Sequence, residues 1–231
     1  MGVSRLPSLS KIVALLERSH GPPPRPIPKN PFEWVLWENV AYLVDDEKRA
    51  AAFRDLKQRV GLDPQAIAAA RPDDLQVIVR GMRPQDRALR LRECAELALG
   101  GGDLRQLLEL PPAKAQAALR RFPGIGQPGA EKILMFCGAL PVLALESNGL
   151  RVLLRIGFGR IAAEGYAAQY RSVREALAGK LPSGAKELAR AHALLRRHGQ
   201  ETCKNTAPDC DDCNLSALCR FSQGRFSSGR P

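Results

Sequence analysis

The sequence predicts an all-α protein folded as two helical lobes, and three observations carry that expectation. Ala and Leu dominate a hydrophobic content of 45% in which aromatic residues make up only 5%, which is the material of helix packed on helix rather than of sheet. Helix signals separated by short turns run from Pro31 to Leu140 and resume from about 147 to 198. Between the first apolar stripe and Pro31 lies "GPPPRPIPKNP", a proline-dense stretch that reads as a stiff extended crossing between two lobes. A chain of 231 residues has room for two small domains.

Each element has its own signal. Leu9, Ile12, Val13 and Leu16 fall at i, i+3, i+4 and i+7, the apolar stripe of a short helix. Helical segments follow in "PFEWVLWENVAYLV", "DEKRAAAFRDLKQRV", "DPQAIAAA", "PDDLQVIVR", "PQDRALRLRECAELAL", "DLRQLLEL", "PPAKAQAALRRF" and "PGAEKILMFCGAL". Asp63 before Pro64 is an N-cap with proline behind it, and Asp103 after a glycine run restarts a helix in the same manner. In the second group Ser183 is the expected cap of "GAKELARAHALLRRHG". The expected division is a helical barrel over 29–142, a second domain joining 1–28 to 143–222, and a disordered tail over 223–231.

The chain carries 35 Lys and Arg, 26 of them Arg, against 24 Asp and Glu, for a formal charge of +11. That balance suits a polyanionic partner, and Arg binds phosphate bidentately and stacks on bases. The apolar stretch of "MGVSRLPSLSKIVALLERS" is too short and interrupted for a signal peptide or a membrane span. Leu6 stands where a myristoylation signal requires Ser or Thr. The expectation is a cytoplasmic, nucleoid-associated monomer with no membrane partner. Thiols stay reduced there, so clustered cysteines read as a metal site.

Such a cluster is present. "CKNTAPDCDDCNLSALC" places Cys203, Cys210, Cys213 and Cys219 at C-x6-C-x2-C-x5-C. Four thiolates within one loop suit zinc or an iron–sulfur cubane on chemistry alone. Cys94 and Cys137 lie in apolar helical patterns and read as small core residues.

The stretch "RRFPGIGQPGAEKIL" holds Gly124, Ile125, Gly126 and Gln127 in a Gly-x-Gly turn ahead of a helix start. Glycine there permits a close turn whose amides, beside a helix N-terminus, form an anion site for a phosphate. An ordinary turn between helices would use the same residues. Taken with the cysteine spacing, the chain from about Pro31 to Cys219 resembles the helix-hairpin-helix DNA glycosylases, and the endonuclease III-like members that carry a 4Fe-4S cluster in a loop of this spacing. The resemblance implies a two-lobed fold with a cleft, a 4Fe-4S cluster on the four cysteines, and a partner that is double-stranded DNA containing a damaged or mismatched base.

Bifunctional members resembling endonuclease III carry a lysine two residues after the second hairpin glycine, whose amine attacks the sugar and then cleaves the strand through a Schiff base. Pro128 occupies that slot. Proline has no amine and fits the first helical position, so the resemblance is to the monofunctional branch, which uses water. Lys132 lies one turn further on, about 6 Å along the helix, and keeps open a lyase with a displaced nucleophile.

In this superfamily a catalytic aspartate follows the hairpin helix, in a pattern resembling hydrophobic-Asp-x-Asn/His-x-x-Arg-Val. "ALESNGLRVLLR" fits with Asn148, Arg151 and Val152 in place, but its acidic slot holds Glu146. A carboxylate there would stabilise the sugar cation or orient water. Glu38 falls where adenine-excising mismatch glycosylases place their general acid, and burial beside Trp34 and Trp37 would raise its pKa. Tyr42 and Leu43 fall where the family inserts residues into the gap left by a flipped base; core packing explains them equally well. His192 reads as a packed histidine. The expected reaction is base excision by N-glycosidic hydrolysis through Glu146 and Glu38, with DNA held by Gly124, Ile125, Gly126, Gln127, Tyr42, Leu43, Asn148 and Arg151. A DNA protein that binds lesions without chemistry is the rival from another class, prompted by Pro128 and Glu146.

Overall fold

The computed structural model describes residues 6–161 and 165–224. The described chain is helical apart from one two-residue strand pair. Helix α1 (Leu9–His20) precedes the proline-dense crossing. Then come α2 (Pro31–Asn39), β1 (Ala41–Tyr42), α3 (Asp46–Arg59), α4 (Pro64–Ala69), α5 (Pro72–Gln76), β2 (Arg80–Gly81), α6 (Pro84–Gly101), α7 (Pro112–Leu119) and α8 (Gln127–Phe136), followed by α9 (Ser147–Ile156), α10 (Tyr166–Leu177) and α11 (Ala185–Glu201). The chain divides into two compact units, Arg25–Leu140, and Met1–Pro24 with Pro141–Pro231.

Local chemistry starts the helices. Ser8, Asn30, Asp45 and Asp63 each accept a hydrogen bond from the amide three residues on, and so satisfy one of the four amides a helix start leaves unpaired. Proline occupies the first turn of α2, α4, α5, α6, α7 and α8, where its missing N–H costs no helical bond. In the 25–140 unit α6 packs on α2, α4 and α5, and α7 packs on α8. Leu36, Phe53, Leu56, Leu91, Leu119 and Ile133 are wholly enclosed there. In the other unit α11 packs on α1 and α9. The apolar stripe of α1 is buried at all four positions, Leu9, Ile12, Val13 and Leu16.

Four local expectations are corrected. The segment from Pro31 is helical only to Asn39, and "PDDLQVIVR" only to Gln76. Their β-branched and aromatic ends meet instead as a parallel pair, Ala41 with Arg80 and Tyr42 with Gly81. Long-range pairing outweighs helix continuation at these ends, and Gly81 (φ +92°) is required because a Cβ there would overlap the Tyr42 carbonyl oxygen. Asp103 starts a 3-10 turn, Leu104–Glu109, rather than an α-helix. Gly184, not Ser183, stands at the N-cap of α11, without a side-chain cap. Of the tail expected to be disordered, Gln223 still donates from its amide to Cys219 O at 3.2 Å, and 225–231 lie outside the described residues. Among the described residues no helix is long and apolar enough to cross a membrane.

Cys94 is wholly buried and Cys137 half-buried. Burial pushes their thiols up to about 12 and about 11. Because the thiolate is the nucleophile, each is ionised to about one part in 10³ or less at pH 8. Iodoacetamide at that pH is therefore expected to spare both in the native protein and to label both after unfolding, read by peptide mass. Rapid native labelling of Cys94 would contradict this packing.

Candidate active site and cysteine cavity

The hairpin joins α7 to α8 through Arg120–Gly126. Ile125 N–H donates to Phe122 O at 3.1 Å, and both side chains are buried, which leaves Gly124, Gly126 and Gln127 at the surface. The two glycines are needed for different reasons. Gly124 has φ +75°, and a Cβ on it would lie 2.7 Å from Asn39 Oδ1. Gly126, the N-cap of α8, has φ −85°, and a Cβ there would meet nothing nearer than Pro128 Cδ at 3.8 Å. The protein itself thus leaves Gly126 open, as close approach of a ligand requires. Pro128 is the second residue of α8, one position later than the sequence suggests, and its absent N–H is again one a helix start leaves unpaired. Gln127 Nε2 donates to Glu131 Oε1 at 3.1 Å.

Asn39 anchors this turn, a role the sequence does not advertise. Its buried amide donates to Val35 O at 3.0 Å and to Pro123 O at 2.9 Å. Beyond it the chain turns outward. Tyr42 is 49% and Leu43 72% exposed, so core packing does not account for either. Leu43 also has φ +53°, a conformation that is costly for a residue with a Cβ and tends to occur where structure serves a site. Buried Arg87 braces the corner, donating to Asn39 O at 3.1 Å and Met82 O at 3.0 Å with its guanidinium 4.7 Å from the Tyr42 ring centre.

Glu38 and Lys132 form one pair. Lys132 Nζ donates to Glu38 Oε2 at 2.7 Å, with the two side chains only 17% and 19% exposed. The pair sets the Lys132 ammonium against Glu38, a neighbour the sequence does not show. The tryptophan rings are engaged elsewhere, Trp34 stacking on Phe136 at 4.3 Å and Trp37 lying edge-on to Phe53 at 5.5 Å.

Glu146 is the N-cap of α9. Its Oε1 accepts from Gly149 N–H at 2.7 Å, and its Oε2 accepts from Asn148 Nδ2 at 2.8 Å and Arg196 Nη1 at 3.2 Å. These contacts use three of the roughly four lone-pair sites of a carboxylate. Asn148 is held in turn, since its Oδ1 accepts from Arg151 Nη2 at 2.8 Å. Arg151 also donates to Gly199 O at 2.7 Å and Cys203 O at 2.9 Å, so its guanidinium is directed into the protein. Burial pulls its pKa below the ordinary guanidinium value. His192 is buried, with Nδ1 2.6 Å from Ala144 O.

Cys203, Cys210, Cys213 and Cys219 line one cavity with an apolar floor of Val152, Ile156, Leu215 and Phe221. Arg155 closes one side: it donates to Cys203 Sγ at 3.3 Å and to the carbonyls of Lys204 and Asn205, and it lies 4.6 Å from the centre of the Phe221 ring. Burial raises the thiols of Cys213 and Cys219 above the ordinary cysteine value. Among the described residues no three metal-binding side chains gather where a single ion could be held. Four cysteine thiols lining one cavity supply the four sulfur donors that a 4Fe-4S cluster takes, one per iron.

Asn39, Arg87, Arg196 and His198 escaped the sequence reading because each acts through a contact far away in the chain. Asn39→Ala is expected to cost about 1–3 kcal/mol in denaturant unfolding and to speed hydrogen exchange at the Gly124 and Ile125 amides. Unchanged stability and exchange would mean that the turn is held without it.

No family model matches the chain. It is 26% identical over 198 residues to the endonuclease III of Sulfolobus acidocaldarius, covering 84% of this chain and 83% of that one. In structure it resembles a trapped covalent intermediate of endonuclease III with DNA, with a TM-score of 0.68 at 21% identity over 95% of this chain and 99% of that one. It also resembles a thermostable thymine-DNA glycosylase, with a TM-score of 0.69 at 16% identity over 94% and 95% of the two chains. With a Gly-x-Gly hairpin, a carboxylate capping the next long helix and a four-cysteine loop in one helical chain, the protein is similar in sequence to endonuclease III over most of its length and shares the fold of the helix-hairpin-helix DNA glycosylases.

Proposed function

We propose that this protein is a monofunctional DNA glycosylase of base-excision repair, acting on chromosomal DNA in the cytoplasm and hydrolysing the N-glycosidic bond of a damaged or mismatched base. The observation that carries the reading is the Glu146 carboxylate, fixed by the Gly149 amide, Asn148 and Arg196. A fixed negative charge is what the cationic sugar of a departing base requires, and the same oxygens can orient water on C1′. The hairpin supports DNA binding, because Gly126 opens the α8 N-terminus to a phosphate. Exposed Tyr42 and Leu43 suit the gap left by a flipped base. Asn148 and Arg151 act by holding Glu146 and its helix.

Water is the nucleophile in this reading. Pro128 has no amine, and the Lys132 amine is engaged as a donor to Glu38, whereas Schiff-base chemistry requires its lone pair. The same contact favours a second reading, a glycosylase and lyase in which Glu38 takes the Lys132 proton and frees the amine. Cys203, Cys210, Cys213 and Cys219 would hold a 4Fe-4S cluster, which when bound supplies a rigid core for the loop around it. Arg155 and the apolar floor hold the loop in position for ligation.

Purified protein incubated with duplexes carrying a panel of lesions is expected to release base and to leave strands that break only after alkali. Direct breaks with a borohydride-trapped adduct would establish the lyase, and binding without product a lesion-binding protein. Glu146→Gln turns an amide N–H₂ against donors whichever way it is oriented, so excision is expected to fall by at least about 10²-fold with DNA affinity retained. Lys132→Ala is expected to change the rate little. Glu146→Asp shortens the cap away from Arg196, so a loss shows a backbone built around glutamate, and a gain shows that the longer side chain is a handicap.

Anaerobically purified protein is expected to be yellow-brown with about four irons per chain; stoichiometric zinc without visible absorption would sink the cluster assignment. Gly126→Val leaves the fold intact and is expected to weaken duplex binding and flatten its salt dependence by about one phosphate contact. An unaltered salt slope would reduce the hairpin to a plain turn.

A further inference from the structure

Behind the cysteine cavity lies a line of three polar side chains that base excision does not use. His198 on α11 is buried, with Nε2 3.6 Å from Cys213 Sγ and Nδ1 3.0 Å from His20 Nε2 at the end of α1. His20 Nδ1 is 3.1 Å from Glu201 Oε2. The His20 ring is almost enclosed, whereas the Glu201 carboxylate is half-exposed, so the line runs from the cavity to the surface. Arg197 fixes its outer end, donating to His20 O at 2.6 Å and to Glu201 Oε1 at 2.9 Å.

The direction of these bonds follows from the chemistry at the two ends. A cysteine sulfur bonded to iron is an acceptor only, so His198 Nε2 must carry the hydrogen that faces it. Neutral His198 then has a lone pair on Nδ1 and accepts from His20 Nε2–H. His20 Nδ1–H in turn donates to the Glu201 carboxylate. Every donor beyond the sulfur is oriented by the next group outward, as second-shell partners orient metal-bound groups.

We propose that His198 is a hydrogen-bond donor to the cluster ligand Cys213, that His20 and Glu201 select the tautomer that makes it one, and that this line raises the cluster's reduction potential and slows its loss. The proposal rests on the reading of the four cysteines as cluster ligands. A donor aimed at a ligand sulfur stabilises the reduced cluster, which carries one more negative charge, more than the oxidised one. His20 and His198 are thus positioning residues: neither touches iron, and both act through the Cys213 sulfur.

The test compares anaerobically purified full-length protein with its His198→Ala, His198→Gln and His20→Leu variants by iron content, film voltammetry, resonance Raman spectroscopy of the Fe–S(Cys) vibrations and the rate of iron loss to a chelator. His198→Ala is expected to lower the ratio of reduced to oxidised cluster at fixed potential about tenfold, or about 59 mV for one electron, to raise the Fe–S(Cys) frequency and to speed iron loss several-fold. His198→Gln, whose amide N–H can still donate, is expected to recover most of the shift. His20→Leu should move potential and vibration in the same direction as His198→Ala although it never meets the sulfur, and it decides the matter if His198→Ala does not fold. Brown protein in which His198→Ala or His20→Leu leaves both potential and vibration unchanged would overturn this proposal alone. Wild-type protein without iron would overturn the cluster reading and this proposal with it.

Discussion

A single guanidinium organises the unit that holds the cysteine loop. Arg151 donates at once to Asn148 Oδ1, Gly199 O and Cys203 O, and so joins the start of α9, the end of α11 and the first residue of the loop. The packing leaves no slack around it, since a Cβ on Gly199 would lie 2.7 Å from Asn148. One turn on, Arg155 takes Cys203 Sγ and two further loop carbonyls. Helix α9 therefore carries the Glu146 carboxylate at one end and grips the cysteine loop along its side. Buried guanidinium groups are tolerable because each meets several carbonyl acceptors.

The other unit depends on Asn39 in a comparable way. Its amide ties the end of α2 to the hairpin carbonyl of Pro123, and its backbone carbonyl takes the buried Arg87. Those contacts fix two strained or exposed features against one rigid corner: the left-handed Gly124 and the outward Tyr42–Leu43 step. In the proposed glycosylase these groups would meet DNA, and such backing preserves their geometry.

The acidic residues are placed with equal care. Glu146 accepts from an amide, a side-chain amide and a guanidinium, while Glu38 accepts from the Lys132 ammonium. Arg196 lies 3.2 Å from the second oxygen of Glu146.

Much of this was legible in the chain because it is local. Apolar periodicity located α1 to its buried face, Asp63 and Pro64 located the start of α4, and the hairpin glycines with the cysteine spacing carried the likeness to the helix-hairpin-helix DNA glycosylases, since a turn, a cap and a cysteine loop are set by neighbours within a few residues. What the sequence left undecided lay where distant segments compete for the same backbone. Residues 40–44 carry helix and strand tendencies together, and only the arrival of Arg80 and Gly81 made Ala41 and Tyr42 a strand. The pairing of Glu38 with Lys132, of Glu146 with Arg196, and of His20 with His198 spans 94, 50 and 178 residues. Spacing along a chain carries no information about such pairs; they exist because helix packing brings the side chains within hydrogen-bond reach, and that was decided by the tertiary structure alone.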